Sequence, residues 1–239
     1  MKRKTFGVIG AMESEIRTLL ARMSSPVAER AADLTFYRGE IGNCAVALVK
    51  CGVGKVNAAR CTQMLIDRYA PDYVLNTGIA GGVGDGLSVG DLVIGTELVQ
   101  HDFDISRFGY ARGYISGFGN GSEPSVFRSN DILKQAFLRT VYAILPKNRV
   151  HEGRIATGDL FVADAGTKRR LKTEFSALAA EMEGGAIAQT AAANGVPFLV
   201  VRAISDLADG TAADSFETFE QETADLSARV IENGILSFR

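Results

Sequence analysis

The sequence predicts an α/β fold, a three-layer αβα sandwich around a central mixed and twisted β-sheet, formed as one domain over residues 1–239. Three observations predict it. Short apolar, β-branched runs alternate with longer segments of helical spacing, the pattern of strand–helix–strand units. One hairpin interrupts the alternation, so the sheet contains antiparallel as well as parallel neighbours. The chain is 46% hydrophobic and 23% charged, enough apolar surface to offset chain entropy and enough charge to stay in water.

Taken in order, Thr5–Gly10 is a β-like run. The opening MKRKTFGVIGAM mimics a leader peptide, but its apolar stretch is short and meets Glu13 and Glu15 directly, so it is predicted as a buried first strand. Ile16, Leu19, Leu20 and Met23 recur at helical spacing and predict a helix over Glu13–Met23. Leu34–Lys50 reads as a hairpin turned at Gly42-Asn43, a two-residue turn signal. Lys55–Tyr69 is helical and stops before Pro71. Tyr73–Thr77 is a strand that runs into glycines, and Asp91–Gln100 is another. Gly109–Ser125 keeps no apolar period and predicts a long, loose surface loop. A helix follows over Asn130–Leu145, a strand over Arg154–Thr157, a helix over Ala165–Phe175 and a short strand over Ala177–Met182. The Ala-rich helix Gly184–Asn194 ends at Gly195, Pro197–Ile204 is a buried strand, and Ser215–Leu236 is the last helix.

Composition narrows the function. Lys and Arg total 26 against 28 Asp and Glu, so no basic excess exists to grip a phosphate backbone, and no nucleic-acid partner is expected. No run of about 18 apolar residues occurs, so no membrane span is expected. Three cysteines (Cys44, Cys51, Cys61) cannot close a disulfide framework and point to a reducing, cytoplasmic setting. His101 and His151 are far apart, no CxxC pair exists, and no metal is expected.

Open α/β sheets bind ligands beyond the carboxyl ends of their strands. GAMESE follows the first predicted strand, GIAGGVGDG follows Tyr73–Thr77, Glu183-Gly184-Gly185 follows Ala177–Met182, and Ser205-Asp206 follows PFLVVRAI. If these strands are parallel, Glu15, Glu183 and Asp206 share one edge, where like charges would raise each other's pKa. Plainer roles stand beside this one. Glu13 and Glu15 suit a helix first turn, Glu181 and Glu183 could decorate a helix start, and Ser205-Asp206 could be a helix cap. The next predicted helix begins only near Ser215, which leaves such a cap little to cap. Two nucleotide-loop frames fail: GVIGAM lacks the GxGxxG spacing and GVGKVN lacks the GxxxxGK[ST] frame.

GAMESE, GVGKVNAA, NTGIAGG, SVGDLVI, HDFD with FGY, GDLFV, AAEMEGGAIA and VPFLVVRAISD occur in that order from about Phe6 to Phe219. Together they resemble the bacterial 5′-methylthioadenosine/S-adenosylhomocysteine nucleosidases of the purine-nucleoside phosphorylase-like family. The resemblance implies a nucleoside phosphorylase-like fold, a homodimer, no cofactor, and hydrolysis of the N-glycosidic bond of 5′-thioether adenine nucleosides. By the same resemblance Asp206 is the general acid for adenine N7, Glu15 activates the attacking water and Glu183 holds the ribose hydroxyls. Phe161 would stack on adenine, and the backbone of Val162 would bond its edge. Ala80 and Gly81 would let the base approach, and Met182 would pack near the sugar. Met12, Val53, Ile105 and Phe108 would surround the 5′-thioether, with Ile105 and Phe108 coming from the partner subunit. Arg202 and Ser205 would support the acidic groups; the plain alternatives are ordinary core for the apolar residues and a surface-strand ion pair for Arg202. Two positions depart from the family pattern: Ile79 where serine is common, and Ser116 where proline often lines the 5′ mouth. The rivals are a phosphorylase of the same fold, a nucleosidase for 5′-deoxyadenosine or aminofutalosine, and a non-catalytic nucleoside-binding protein.

Overall fold

The central strands alternate apolar side chains to two faces, and a helical layer covers each face. The computed structural model describes residues 3–238, so Met1, Lys2 and Arg239 of the expected single domain lie outside the described residues. The elements run β1 (Thr5–Gly10), α1 (Glu13–Arg22), β2 (Ser24–Ala31), β3 (Leu34–Ile41), β4 (Cys44–Lys50), α2 (Lys55–Tyr69), β5 (Tyr73–Asn76), β6 (Ile79–Gly82) and β7 (Leu92–Gln100). They continue β8 (Phe127–Arg128), α3 (Asp131–Val141), β9 (Val150–Thr157), α4 (Ala165–Phe175), β10 (Ala177–Glu181), α5 (Gly184–Ala193), β11 (Phe198–Asp206) and α6 (Ala212–Leu236). Strand β11 is buried along its whole length. Its Leu199, Val201 and Ala203 pack into the cluster that holds Ile16 and Leu19 of α1, Phe137 of α3 and Ile231 of α6. The intervening Phe198, Val200 and Ile204 pack into the second cluster, with Cys61 and Leu65 of α2 and Ile187 of α5. A strand buried on both faces reads as a continuous apolar run, and PFLVVRAI reads that way.

The strand order is β2-β3-β4-β1-β5-β11-β6-β10-β9-β7-β8, with a further pairing of β11 to β7. That pairing joins Val200 to Gly95 and Arg202 to Val93, and closes β11, β6, β10, β9 and β7 into a ring. The sheet is mixed and flanked by helices, as the sequence predicts. Among the described residues, no helix is long and apolar enough to cross a membrane.

Several details differ from the sequence expectation. Strands β1, β5, β11 and β6 run parallel, but β10 runs antiparallel to β6, with Ala180 opposite Gly81. The acidic residues therefore do not sit on a row of parallel strand ends. The chain passes from β5 to β6 through Thr77-Gly78, so the end of β5 adjoins the start of β6, and the end of β10 meets the same point. Strand β11 extends through Ser205-Asp206 because β6 pairs with its end, Asp206 against Gly81. Helix α3 stops at Val141, after which Ala143 and Ile144 bond back in tight turns before Pro146. Nor is Gly109–Ser125 loose. The Gly113 N–H donates to Phe103 O at 2.7 Å, the Ile115 N–H donates to Ser125 Oγ at 2.8 Å, and the Tyr110 and Tyr114 rings stack at 5.0 Å.

Candidate active site

Glu15 lies in the first turn of α1 and is buried, 3% exposed. Its side chain bends back over the helix start. Oε2 accepts the N–H of Ala11 at 2.6 Å and of Met12 at 3.0 Å, and Oε1 accepts the N–H of Ile79 at 3.1 Å. The helix-start role offered by the sequence is thus filled, but inside the molecule. Gly78 makes this possible: its φ is +158°, and a Cβ there would lie 2.4 Å from Glu15 Oε1. Burial pushes the Glu15 carboxyl above the usual carboxylate range, while Arg202 and the three N–H groups pull it back. Ile79, one of the two departures noted in the sequence, offers its backbone N–H and no hydroxyl to Glu15.

Asp206 ends β11 and is 1% exposed. Its Oδ1 accepts the Ala208 N–H at 2.8 Å and its Oδ2 accepts the Ser205 hydroxyl at 2.9 Å. Burial raises its pKa, against the lowering effect of those two bonds. Gly81 leaves the space the carboxylate needs, since a Cβ there would lie 2.8 Å from Asp206 Oδ1. Glu183 stands at the turn between β10 and α5, and its Oε1 accepts the Gly54 N–H at 2.9 Å. Burial first, and then the charge of Glu181, push the Glu183 carboxyl up to about 8.

Behind these groups lies an ion pair that sequence reasoning missed. Arg202 and Glu181 are each 2% exposed at the side chain, and Arg202 Nη2 donates to Glu181 Oε2 at 2.5 Å and to Asn76 Oδ1 at 2.5 Å. This overturns the surface ion pair offered for Arg202, because its strand is the most central of the sheet. Glu181 also accepts the N–H of Gly184 at 2.6 Å and of Glu183 at 3.1 Å, so it does cap α5, from a buried position. The pairing was hidden because Glu181 precedes a helix start and so reads as surface decoration.

Met12, Glu15, Val53, Ala80, Gly81, Phe161, Val162, Met182, Glu183, Ser205 and Asp206 all line one cavity of roughly 200 Å³. The same cavity adds Phe216, Leu160, Ile79 and Glu181. Phe216 reads in sequence as one more apolar position of the last helix, yet its ring meets Phe161 edge-on at 5.7 Å. Ile105 and Phe108 do not line the cavity of their own chain; Phe108 is 80% exposed. Ser116 is exposed and also lies outside the cavity.

The phosphorylase superfamily model matches residues 5–235. A 5′-methylthioadenosine/S-adenosylhomocysteine nucleosidase of Anoxybacillus flavithermus is 42% identical over 226 residues, 94% of this chain and 95% of that one. The crystal structure of the Neisseria meningitidis nucleosidase with methylthio-immucillin-A superposes with a TM-score of 0.92 at 40% identity, covering 98% of this chain and all (100%) of the other. The futalosine hydrolase of Helicobacter pylori superposes with a TM-score of 0.90 at 30% identity, covering 97% of each chain. With its fold and nearly its whole length shared with these proteins, the chain belongs to the phosphorylase superfamily and, within it, to the 5′-methylthioadenosine/S-adenosylhomocysteine nucleosidases.

Proposed function

We propose that the chain hydrolyses the N-glycosidic bond of 5′-methylthioadenosine and S-adenosylhomocysteine, releasing adenine and a 5-thioribose. The observation that carries this reading is the convergence of Glu15, Glu183 and Asp206 on one cavity. Adenine leaves poorly as an anion, so its N7 must gain a proton as the bond to the anomeric carbon stretches. Asp206 supplies that proton, and its burial favours the protonated form it needs. The sugar becomes oxocarbenium-like and positive. Glu183 holds the ribose hydroxyls, and the positive charge growing on the sugar draws its raised carboxyl into the ionised form that stabilises that charge. Glu15 takes a proton from the attacking water on the face opposite the base, the arrangement of an inverting glycosidase. Its three N–H donors orient the carboxylate for that task.

Phe161 and Phe216 form an aromatic corner for the purine, and the backbone of Val162 meets the base edge. Ala80 and Gly81 keep the floor low, and Met182, Met12 and Val53 supply the apolar surroundings of sugar and thioether. Ser205 orients Asp206 through its hydroxyl, and Arg202 holds the acidic cluster from behind. A homodimer completes the 5′ end, with Ile105 and the exposed Phe108 reaching the cavity of the other subunit.

A phosphorylase needs cationic donors for phosphate. Among the described residues the cavity lining holds no lysine or arginine, and Arg202 behind it is engaged by Glu181. The second reading is a nucleosidase for 5′-deoxyadenosine or aminofutalosine, favoured by the likeness to the futalosine hydrolase. Free adenine release, followed by ultraviolet absorbance from several 5′-modified adenosines in phosphate-free buffer, tests all of these. Hydrolysis with thioether nucleosides as the best substrates is expected. A strict phosphate requirement, a worst rank for thioethers, or binding without base release would each overturn the proposal.

A further inference from the structure

One guanidinium faces three buried carboxylates in this site, and it does not divide itself evenly. Arg202 Nη2 lies 2.5 Å from Glu181 Oε2 but 3.9 Å from Glu183 Oε2, beyond hydrogen-bond reach. The three N–H groups of Ala11, Met12 and Ile79 engage the Glu15 carboxylate. Glu181 is held in its place from several sides. The Thr157 hydroxyl donates to Oε1, and the N–H groups of Glu183 and Gly184 donate to Oε2. Thr157 is fixed in turn by the Gly185 N–H, which donates to its Oγ1 at 2.6 Å. Among the described residues, Glu183 is thereby left with a single hydrogen-bond donor, the Gly54 N–H.

We infer that Glu181 is a positioning residue for the sugar: it occupies Arg202 and pins the turn that projects Glu183, so that the Glu183 carboxylate stays available to accept ribose hydroxyls. The inference rests on the role proposed for Glu183 above. Without the Glu181 charge, Arg202 turns to Glu183 as its nearest remaining counter-ion, and the hydroxyls must compete with a guanidinium. Adenine, bound at Phe161, Val162 and Asp206, is not touched by the exchange.

Glu181→Gln keeps the shape and removes the charge. The test compares the nucleoside KM with the inhibition constant of free adenine in the same protein. A rise in KM for methylthioadenosine of roughly tenfold or more is expected, as for losing a bond to a charged group, with the adenine constant unchanged within about twofold. In a Glu183→Gln background the substitution should add nothing further. Equal weakening of nucleoside and adenine, or additivity in the double variant, would reduce Glu181 to a structural residue and overturn the inference. Should Glu181→Gln not fold, Thr157→Val loosens the same carboxylate with every charge in place; a selective KM rise supports the inference and an unselective loss overturns it. A wild-type protein that releases no adenine refutes the activity itself, whereas active wild type with an unaltered Glu181→Gln KM refutes only this inference.

Discussion

In the proposed mechanism Asp206 and Glu15 work in opposite protonation states. Asp206→Asn removes the proton donor and should lower kcat by about 10²–10⁴-fold, with Glu15→Gln comparable, while circular dichroism stays that of the wild type. Near-normal turnover in either would remove that residue from the mechanism. Burial of Asp206 also has a consequence for stability. Its folded pKa is raised above the unfolded value of about 3.9, so its favourable contribution is complete below that value and is lost as pH rises through the folded pKa. The Tm of Asp206→Asn minus that of wild type should therefore grow between pH 4 and pH 8; a constant difference would contradict the shift. At this scale the sequence was largely readable. Eleven of the expected site residues line one cavity: most follow or end a strand, and Ala80 and Gly81 lie within the short β6. Glu181 and Phe216 were not readable, since a helix-start acid and a helical aromatic look the same whether they face solvent or a site.

Helices and strands met their expected positions where local patterning and packing agree. The hairpin β3–β4 turns at Gly42-Asn43, and α2 spans Lys55–Tyr69, as read. Strand β2 was invisible because its residues are mostly exposed and carry no alternation, so only pairing with β3 makes it a strand. Strand β6 is glycine-rich and reads as a loop; its neighbours β11 and β10 impose the extended form. Close helix contacts are also set by pairs far apart in sequence. A Cβ on Gly234 of α6 would lie 2.4 Å from the ring of the fully buried Phe137 of α3. Gly234→Val should destabilise the fold by about 1–3 kcal/mol in urea unfolding, and an unchanged midpoint would show that the seam yields freely.

For the whole molecule, the proposed dimer is the element the single chain leaves incomplete. Phe108 lies outside its own cavity and is 80% exposed, beside Gly109 at the start of the ordered Gly109–Ser125 segment. Phe108→Ala should lower kcat/KM for methylthioadenosine roughly tenfold, the effect of one apolar contact, although it touches nothing in its own site. Light scattering beside the kinetics separates a lost contact from a lost dimer, and wild-type kinetics would remove Phe108 from the site. The closure of β11 onto β7 has a further consequence. A ring of strands has no free border from which to fray, so its amides open only when the protein opens as a whole. Deuterium uptake should reach Ile94 and Arg202 last and the outlying β2 first, which would leave Asp206 of β11, and Glu15 through its bond to Ile79 of β6, anchored to the slowest-breathing part of the chain.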